Sequence, residues 1–122
     1  MAGKRKNRVL KLIYEAIKEK KGDEILCLDT RKLTYLFDYL FICSADTDIQ
    51  ARAIMDNIYI KMKKSIKRIP NSIDGSEEGN WIIMDYGDIM VHIFNPIKRI
   101  YYNLESIWVD AKAIDLEESW RK

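Results

Sequence analysis

The chain has 122 residues, 48% of them hydrophobic and 33% charged, with 21 basic and 19 acidic residues and a formal net charge of +2. This composition predicts one globular domain that is long enough to bury a sizeable core. It argues against a protein that holds nucleic acid through bulk electrostatics, since such proteins usually have a clear basic excess. No apolar run approaches the roughly 20 residues of a membrane-spanning helix, and the N-terminus resembles neither a signal nor a transit peptide, so we expect a cytoplasmic protein.

The N-terminal part is predicted as a short basic tail over residues 1–7, followed by a helix over residues 8–21. Apolar residues recur at helical spacing from Val9 to Ile17, and Gly22 is typical of the position just after a helix. The basic side chains of the tail either contact RNA or, as is more common for a terminus, stay in solvent.

Two short apolar runs, residues 25–28 and 39–43, predict strands that are buried on both faces. Each run contains one cysteine. We expect Cys27 and Cys43 to be small buried hydrophobic residues in a reduced protein, although a disulfide between them stays open at this stage.

A longer helix is predicted to begin after Thr47, which forms a capping box with Gln50, and to run to about residue 69, where Pro70 ends it. Asp46 and Asp48 flank the cap in a D-x-D pattern. Two such carboxylates can hold Mg²⁺ for nucleotidyl transfer. Capping is the favoured interpretation, because acidic residues suit a helix N-terminus and no glycine-rich phosphate loop precedes them.

Residues 81–94 predict a β-hairpin with its turn at residues 85–88, where Gly87 supplies the positive φ of a tight turn. Side chains alternate along a strand, so the hairpin has one apolar face, expected in the core, and one mixed face. The apolar face comprises Ile82, Met84, Tyr86, Ile89, Val91 and Ile93. The mixed face comprises Trp81, Ile83, Asp85, Asp88, Met90, His92 and Phe94. Such a mixed face is typical of a binding surface or of a face partly covered by another element.

Three polar residues of the mixed face are candidates for chemistry. Asp85 and Asp88 can act as an acid–base pair, stabilise the turn, or accept hydrogen bonds from a basic partner. His92 is the only histidine, and no cysteine is placed to complete a metal site with it. The sequence therefore favours an interaction surface over an active site.

Beyond the hairpin, Pro96 opens a predicted helix. Its apolar stripe comprises Ile97, Ile100, Tyr101, Leu104 and Trp108. Residues 111–122 are predicted as a polar tail with a turn near Leu116, and residues 71–74, before the hairpin, are a further short strand candidate. The elements predict an α/β domain with a mixed sheet flanked by helices. We expect one domain over residues 1–122, with its core at about residues 8–111.

The hairpin also carries a long mixed motif. Residues 77–94 read E-E-G-x-W-x-x-x-D-Y-G-D-x-x-V-H-I-F, which resembles the signature of the ribosome-silencing-factor family, also called the Iojap or DUF143-type family. Further segments resemble the same family: Asp38-Tyr39 with Cys43-Ser44, residues 50–54, and Tyr102-x-Leu104-Glu105-x-x-Trp108. The chain departs from the family pattern at Ser76, Asn95, Ile97, Val109 and Lys112.

The resemblance implies a binding protein with no cofactor. Members of this family dock on large ribosomal subunit protein L-fourteen and block joining of the small subunit, which represses translation under nutrient limitation. Their fold is similar to a nucleotidyltransferase-like domain without the catalytic residues. The alternative is a nucleotidyltransferase-like, Mg²⁺-dependent enzyme that uses Asp46 and Asp48.

The resemblance also gives the mixed face a partner. Asp85, Asp88 and the adjacent Asp38 would accept hydrogen bonds from a basic ribosomal protein. Trp81 and Met90 would be apolar anchors beside His92. With a near-neutral charge we expect little direct rRNA contact, and we expect no membrane contact. The same face can instead join two copies of the chain in a homodimer off the ribosome.

Overall fold

The computed structural model describes residues 2–117 of the chain, with side chains from residue 7 onward. The helices are α1 (Ala2–Glu19), α2 (Asp48–Ile66) and α3 (Pro96–Tyr102). The strands are β1 (Asp23–Asp29), β2 (Tyr39–Ser44), β3 (Ser72–Asp74), β4 (Trp81–Asp85), β5 (Ile89–Phe94) and β6 (Lys112–Ala113), and a 3₁₀ turn spans Leu104–Ser106. Within this part of the chain, no helix has the length and apolarity to cross a membrane. The predicted α/β class is confirmed.

The six strands form one mixed sheet in the order β3-β4-β5-β2-β1-β6. Strands β2 and β5 are parallel, with Phe41 opposite Val91, and all other neighbours are antiparallel. A parallel pair needs a long crossover, and here it runs through α2, β3 and β4. Since β2 lies in the middle of the sheet, all six of its residues are buried, which explains its continuous apolar sequence.

Helices α1 and α2 cover one face of the sheet and form the main core with it. The apolar face of the hairpin lies in this core, where its six residues are each 4% exposed or less, as predicted. Cys27 and Cys43 are free and buried in the same core. Burial raises the pKa of each thiol to about 12, so both stay protonated near neutral pH.

The two long helices run antiparallel and are joined through side-chain hydrogen bonds. Gln50, near the start of α2, donates its amide to the carbonyls of Lys20 and Lys21 just after α1. One to two turns further along α2, Asn57 donates to the carbonyl of Ala16 at 2.9 Å. Thr47 caps α2 by accepting from the Gln50 N–H, as predicted.

The other face of the sheet has a thinner cover. Leu28, Leu40, Ile42 and Phe94 are buried there, and half-buried side chains from two irregular segments pack on them. These segments are residues 33–37 and residues 103–111, which follows α3. The second possibility foreseen for the mixed face, partial cover by another element, is therefore confirmed.

Four predicted boundaries differ from the structure. Helix α3 ends at Tyr102, before Leu104 and Trp108 of its predicted stripe, because Asn103 takes the left-handed conformation with φ 45°. Helix α1 begins at Ala2, so residues 2–7 are helical rather than a tail. Helix α2 ends at Ile66, ahead of Pro70, because Lys67 takes the left-handed conformation with φ 57°. The segment after residue 111 is not a free tail: β6 pairs with β1, and Leu116 is only 6% exposed. Residues 118–122 lie outside the described residues.

Candidate functional site

Trp81 and His92 form a hydrogen-bonded pair at the centre of the mixed face. The hairpin register places Trp81 opposite Phe94 and His92 opposite Ile83, so the two side chains are diagonal neighbours. The indole Nε1–H of Trp81 donates to Nδ1 of His92 at 3.0 Å. His92 is 9% exposed, and burial lowers its pKa to about 4. His92 is therefore neutral at pH 7, with its ring proton on Nε2.

An aromatic layer extends from this pair toward the end of α3. The Trp81 ring stacks on Phe94 at 4.8 Å between centroids and contacts Tyr102 at 4.5 Å. A second contact, between Phe37 and Trp108 at 5.3 Å, connects the two covering segments. Met90 is half-buried against the same cluster. The mixed face is therefore stabilised by packing of Trp81, Met90 and His92. The same three residues belong to any surface that this face presents.

The turn carboxylates have defined partners within the chain. Asp85 accepts a hydrogen bond from the Gly87 N–H at 2.7 Å, which stabilises the turn. Asp88 forms an ion pair with Arg68 at 2.6 Å, and Arg68 also donates to the Tyr86 carbonyl. Asp38 is tied to the turn through its backbone, because its N–H donates to the Asp88 carbonyl at 2.7 Å. Asp38 and Asp88 are therefore bonded directly, and Asp85 lies in the same turn at the hairpin end of the sheet.

Helix α3 has the opposite orientation from the one that its apolar stripe predicts. Ile97, Ile100 and Tyr101 are 76–80% exposed, whereas Arg99 is 8% exposed. The Arg99 guanidinium donates to the Glu24 carbonyl at 2.8 Å and to Ser44 Oγ at 2.9 Å. The first three residues of the apolar stripe therefore face solvent rather than the sheet.

Arg99 is a structural residue that sequence reasoning missed. Its guanidinium also pairs with both carboxylate oxygens of Glu105 at 3.3 Å. These bonds fix α3 and the 3₁₀ turn against the ends of β1 and β2. No helical spacing signalled this pair, because side chains on a helix pair at i+3 or i+4, whereas Glu105 is six residues beyond Arg99.

The inverted helix leaves a large apolar surface in solvent. Among the described side chains, nine of the twelve exposed large hydrophobic residues lie in residues 33–36 and 97–109. We call these nine the apolar rim: Leu33, Tyr35, Leu36, Ile97, Ile100, Tyr101, Tyr102, Ile107 and Val109. Exposed apolar clusters of this kind mark protein interaction sites. Contacts such as that of Tyr102 with Trp81 connect the rim to the aromatic layer.

The D-x-D residues flank Thr47, the N-cap of α2, and their bonds lie within the chain. Asp48 forms an ion pair with Arg52 at 2.6 Å, one turn along the helix. The same guanidinium donates to the carbonyls of Ser76 and Glu77 in the loop before the hairpin. Asp46 donates its backbone N–H to the Gln50 side chain. Within the described residues, no group of three or more His, Cys, Asp or Glu could hold a metal ion.

Comparison with known proteins identifies the family. The sequence model of the family described as "ribosomal silencing factor during starvation" matches residues 4–122. The chain belongs to the ribosomal silencing factor family. The Chromobacterium violaceum ribosomal silencing factor RsfS is 35% identical over 115 residues, which is 92% of this chain and 93% of that protein. The Bacillus subtilis protein of the same name is 34% identical over 109 residues, 89% of this chain and 92% of that protein.

More distant relatives and solved structures agree with this family. The chloroplastic protein Iojap of Zea mays is 30% identical over 85% of this chain and 45% of its own length. A crystal structure of a Chromobacterium violaceum protein superposes with a TM-score of 0.79, at 35% identity and 83% coverage of both chains. Another, from Bacillus halodurans, has a TM-score of 0.78 at 26% identity, covering 88% of this chain and 97% of that one. The resemblance seen in the hairpin motif is confirmed.

Proposed function

We propose that this chain silences ribosomes in the cytoplasm by binding rather than by catalysis. It docks on protein L-fourteen of the large ribosomal subunit and blocks joining of the small subunit, which represses translation under nutrient limitation. Family membership supports the ribosome as the target, because the family and its bacterial members are named for ribosomal silencing.

The observation that carries the docking proposal is the apolar rim. Ile97, Ile100 and Tyr101 project from one short helix that Arg99 fixes to the sheet. A rigid element that presents aliphatic and aromatic side chains is pre-organised for binding, since little conformational entropy is lost on docking. Burial of such side chains contributes about 25 cal/mol per Å² of apolar surface.

The predicted acidic residues complete this surface in the proposal. Asp38, Asp85 and Asp88 lie together at the hairpin end and are each half-buried. A basic ribosomal protein would add donors to these carboxylates, of which Asp85 and Asp88 already accept from the Gly87 N–H and from Arg68 inside the chain. Trp81, Met90 and His92 lie beneath the docking surface and fix its shape.

Subunit joining tests this function. Purified small and large subunits are mixed with the protein, and the products are separated by sedimentation. We expect the protein to migrate with the large subunit and to reduce the amount of joined ribosomes as its concentration rises. Migration with the small subunit alone, or unchanged joining at saturating protein, contradicts the proposal.

The homodimer expected from the sequence stays a prediction. If two copies bury the apolar rim when off the ribosome, analytical ultracentrifugation of the free protein gives a dimer that dissociates when Ile100 is replaced by Asp. A monomer at all concentrations removes this expectation and leaves the docking proposal unchanged.

A further inference from the structure

The charges of this chain are segregated, although they nearly cancel. Residues 1–14 and 57–73 contain ten of the 21 basic residues and none of the 19 acidic residues, which leaves eleven basic against 19 acidic residues elsewhere. These two segments are far apart in sequence. They contain the first half of α1 and the second half of α2.

The antiparallel packing of α1 and α2 brings the two basic segments together. Gln50 contacts Lys20 and Lys21, and Asn57, about two turns further along α2, contacts Ala16, so α2 runs back along α1. The long side chain of Lys61 reaches from the next turn of α2 to Glu19. Continuing this pairing places the last turns of α2 beside the N-terminal half of α1. The basic segments therefore share one end of the helix layer.

Five exposed side chains define this basic end: Arg8, Lys11, Lys63, Lys64 and Lys67. On α2, Lys63 and Lys64 lie opposite the fully buried Ile58 and Met62, so they project away from the sheet, and Lys67 is exposed at the cap just after the helix. The other cations of the segment are engaged, since Lys61 pairs with Glu19 and Arg68 with Asp88. Among the described side chains, no ion pair involves any of the five residues of the basic end.

Helix stability explains only part of this pattern. Lys63 and Lys64 lie in the last turn of α2, where the helix dipole favours cations. Arg8 lies in the N-terminal half of α1 and Lys11 near its middle, where the dipole gives cations no advantage, and α1 has no acidic residue in its first turn. Along the two helices, the acidic residues next to the basic segments in sequence are Glu15 and Asp56, while Glu19 and Asp88 pair with Lys61 and Arg68.

We propose that the basic end binds the phosphate backbone of an RNA helix and gives the protein a second, salt-dependent contact with the large ribosomal subunit. The choice of RNA rests on the proposed function, because a protein docked on a large subunit lies among rRNA phosphates. A membrane surface fits less well, since α2 turns its apolar stripe toward the sheet rather than outward. The sequence-based expectation of little rRNA contact depended on net charge, which does not describe how the charges are distributed.

The test measures binding to a fluorescent RNA duplex of about 16 base pairs by anisotropy at several salt concentrations. The wild-type protein should bind with a dissociation constant of about 10⁻⁶ to 10⁻⁴ M, and log affinity should fall linearly with log salt. A triple variant carries Lys63→Gln, Lys64→Gln and Lys67→Gln. It should bind about tenfold more weakly at low salt, and the slope of log affinity against log salt should be shallower by about 2 to 3.

A matched control removes the same charge from other exposed lysines: Lys20→Gln, Lys32→Gln and Lys112→Gln. It should bind the duplex like the wild type. Equal loss in both triple variants, no wild-type binding at low salt, or tighter binding to anionic lipid vesicles than to RNA overturns the proposal. Subunit joining is measured separately, so that failure of the proposed function can be distinguished from failure of the RNA proposal. A variant of the apolar rim should no longer inhibit subunit joining but should still bind the duplex.

Discussion

Trp81 donates its indole N–H to Nδ1 of His92 at 3.0 Å, and this bond fixes both side chains on the mixed face of the hairpin. The histidine that the sequence presents as a candidate for chemistry is therefore a buried neutral acceptor. Its role is to hold the aromatic layer beneath the apolar rim. The first two predictions concern this pair.

The buried histidine should make the stability depend on pH. The pKa of His92 is about 4 in the folded chain and about 6.5 when unfolded, so the unfolded chain binds the proton more readily between these values. The free energy of unfolding should therefore fall by about 3 kcal/mol as the pH decreases from about 6.5 to about 4. Urea denaturation at several pH values measures this change. His92→Asn keeps an acceptor but does not titrate, so its profile should be flatter, and a profile equal to that of the wild type contradicts the assignment.

The Trp81–His92 bond should be detectable as a coupling energy. Trp81→Phe removes the donor and leaves a buried acceptor unpaired, which should cost about 1 to 3 kcal/mol of unfolding free energy. His92→Phe removes the acceptor. In the double variant both partners are gone. The losses of unfolding free energy in the two single variants should therefore sum to about 1 kcal/mol more than the loss in the double variant. Strict additivity of the two single changes would show that the bond contributes nothing.

Arg99 should stabilise the chain through its buried interactions. Arg99→Met removes donors to Glu24 and Ser44 and separates Glu105 from its partner. Because Glu105 is 36% exposed, we expect a loss of about 2 kcal/mol rather than the larger cost of a fully buried pair. Thermal and urea unfolding measure it, with Glu105→Gln as the milder comparison. A stability loss smaller for Arg99→Met than for Glu105→Gln is incompatible with this role.

Two glycines at similar φ values should respond differently to alanine. Gly75 and Gly87 have φ of 81° and 87°, so both substitutions carry the same kind of backbone strain. A Cβ on Gly75 would lie 2.0 Å from the Trp81 carbonyl oxygen, whereas on Gly87 the nearest atom is the Asn71 side-chain nitrogen at 3.3 Å. Gly87→Ala should cost about 1 to 2 kcal/mol, and Gly75→Ala clearly more, because the backbone itself must move. Equal costs in urea unfolding would refute the steric part of this explanation.

Much of the fold was predictable because its signals are local. The alternation along residues 81–94 separates the core face from the mixed face for any two-residue turn. The structure has such a turn at Gly87-Asp88, where the Tyr86 N–H donates to the Ile89 carbonyl. The cap at Thr47 depends on a side chain three residues from its partner. The two central apolar runs were also recognisable, since strands buried on both faces need no polar residues.

What was missed depends on contacts between distant residues. Arg99 is buried because the Glu24 carbonyl and the Ser44 hydroxyl meet it, 75 and 55 residues away, and nothing near it in sequence predicts those contacts. The three apolar residues beside it then point outward, against the rule that apolar stripes face the core. The sequence predicts a tail around Leu116 because β6 has only two residues and no sequence pattern of its own.

The central claim is that the apolar rim docks on protein L-fourteen of the large ribosomal subunit. The most direct test is the affinity of the purified protein for isolated protein L-fourteen. The rim variant carries Ile97→Asp, Ile100→Asp and Tyr101→Asp. Its control carries Ile49→Asp, Ile60→Asp and Ile69→Asp, which are also exposed isoleucines but lie outside the rim.

We predict that the wild type and the control bind with similar affinity. The rim variant should bind about 100-fold more weakly or not at all, since single interface anchors cost about 2 kcal/mol or more when lost. Circular dichroism and urea unfolding should show that both variants stay folded. Wild-type protein that does not bind isolated protein L-fourteen, or a folded rim variant that binds it like the control, would contradict the account.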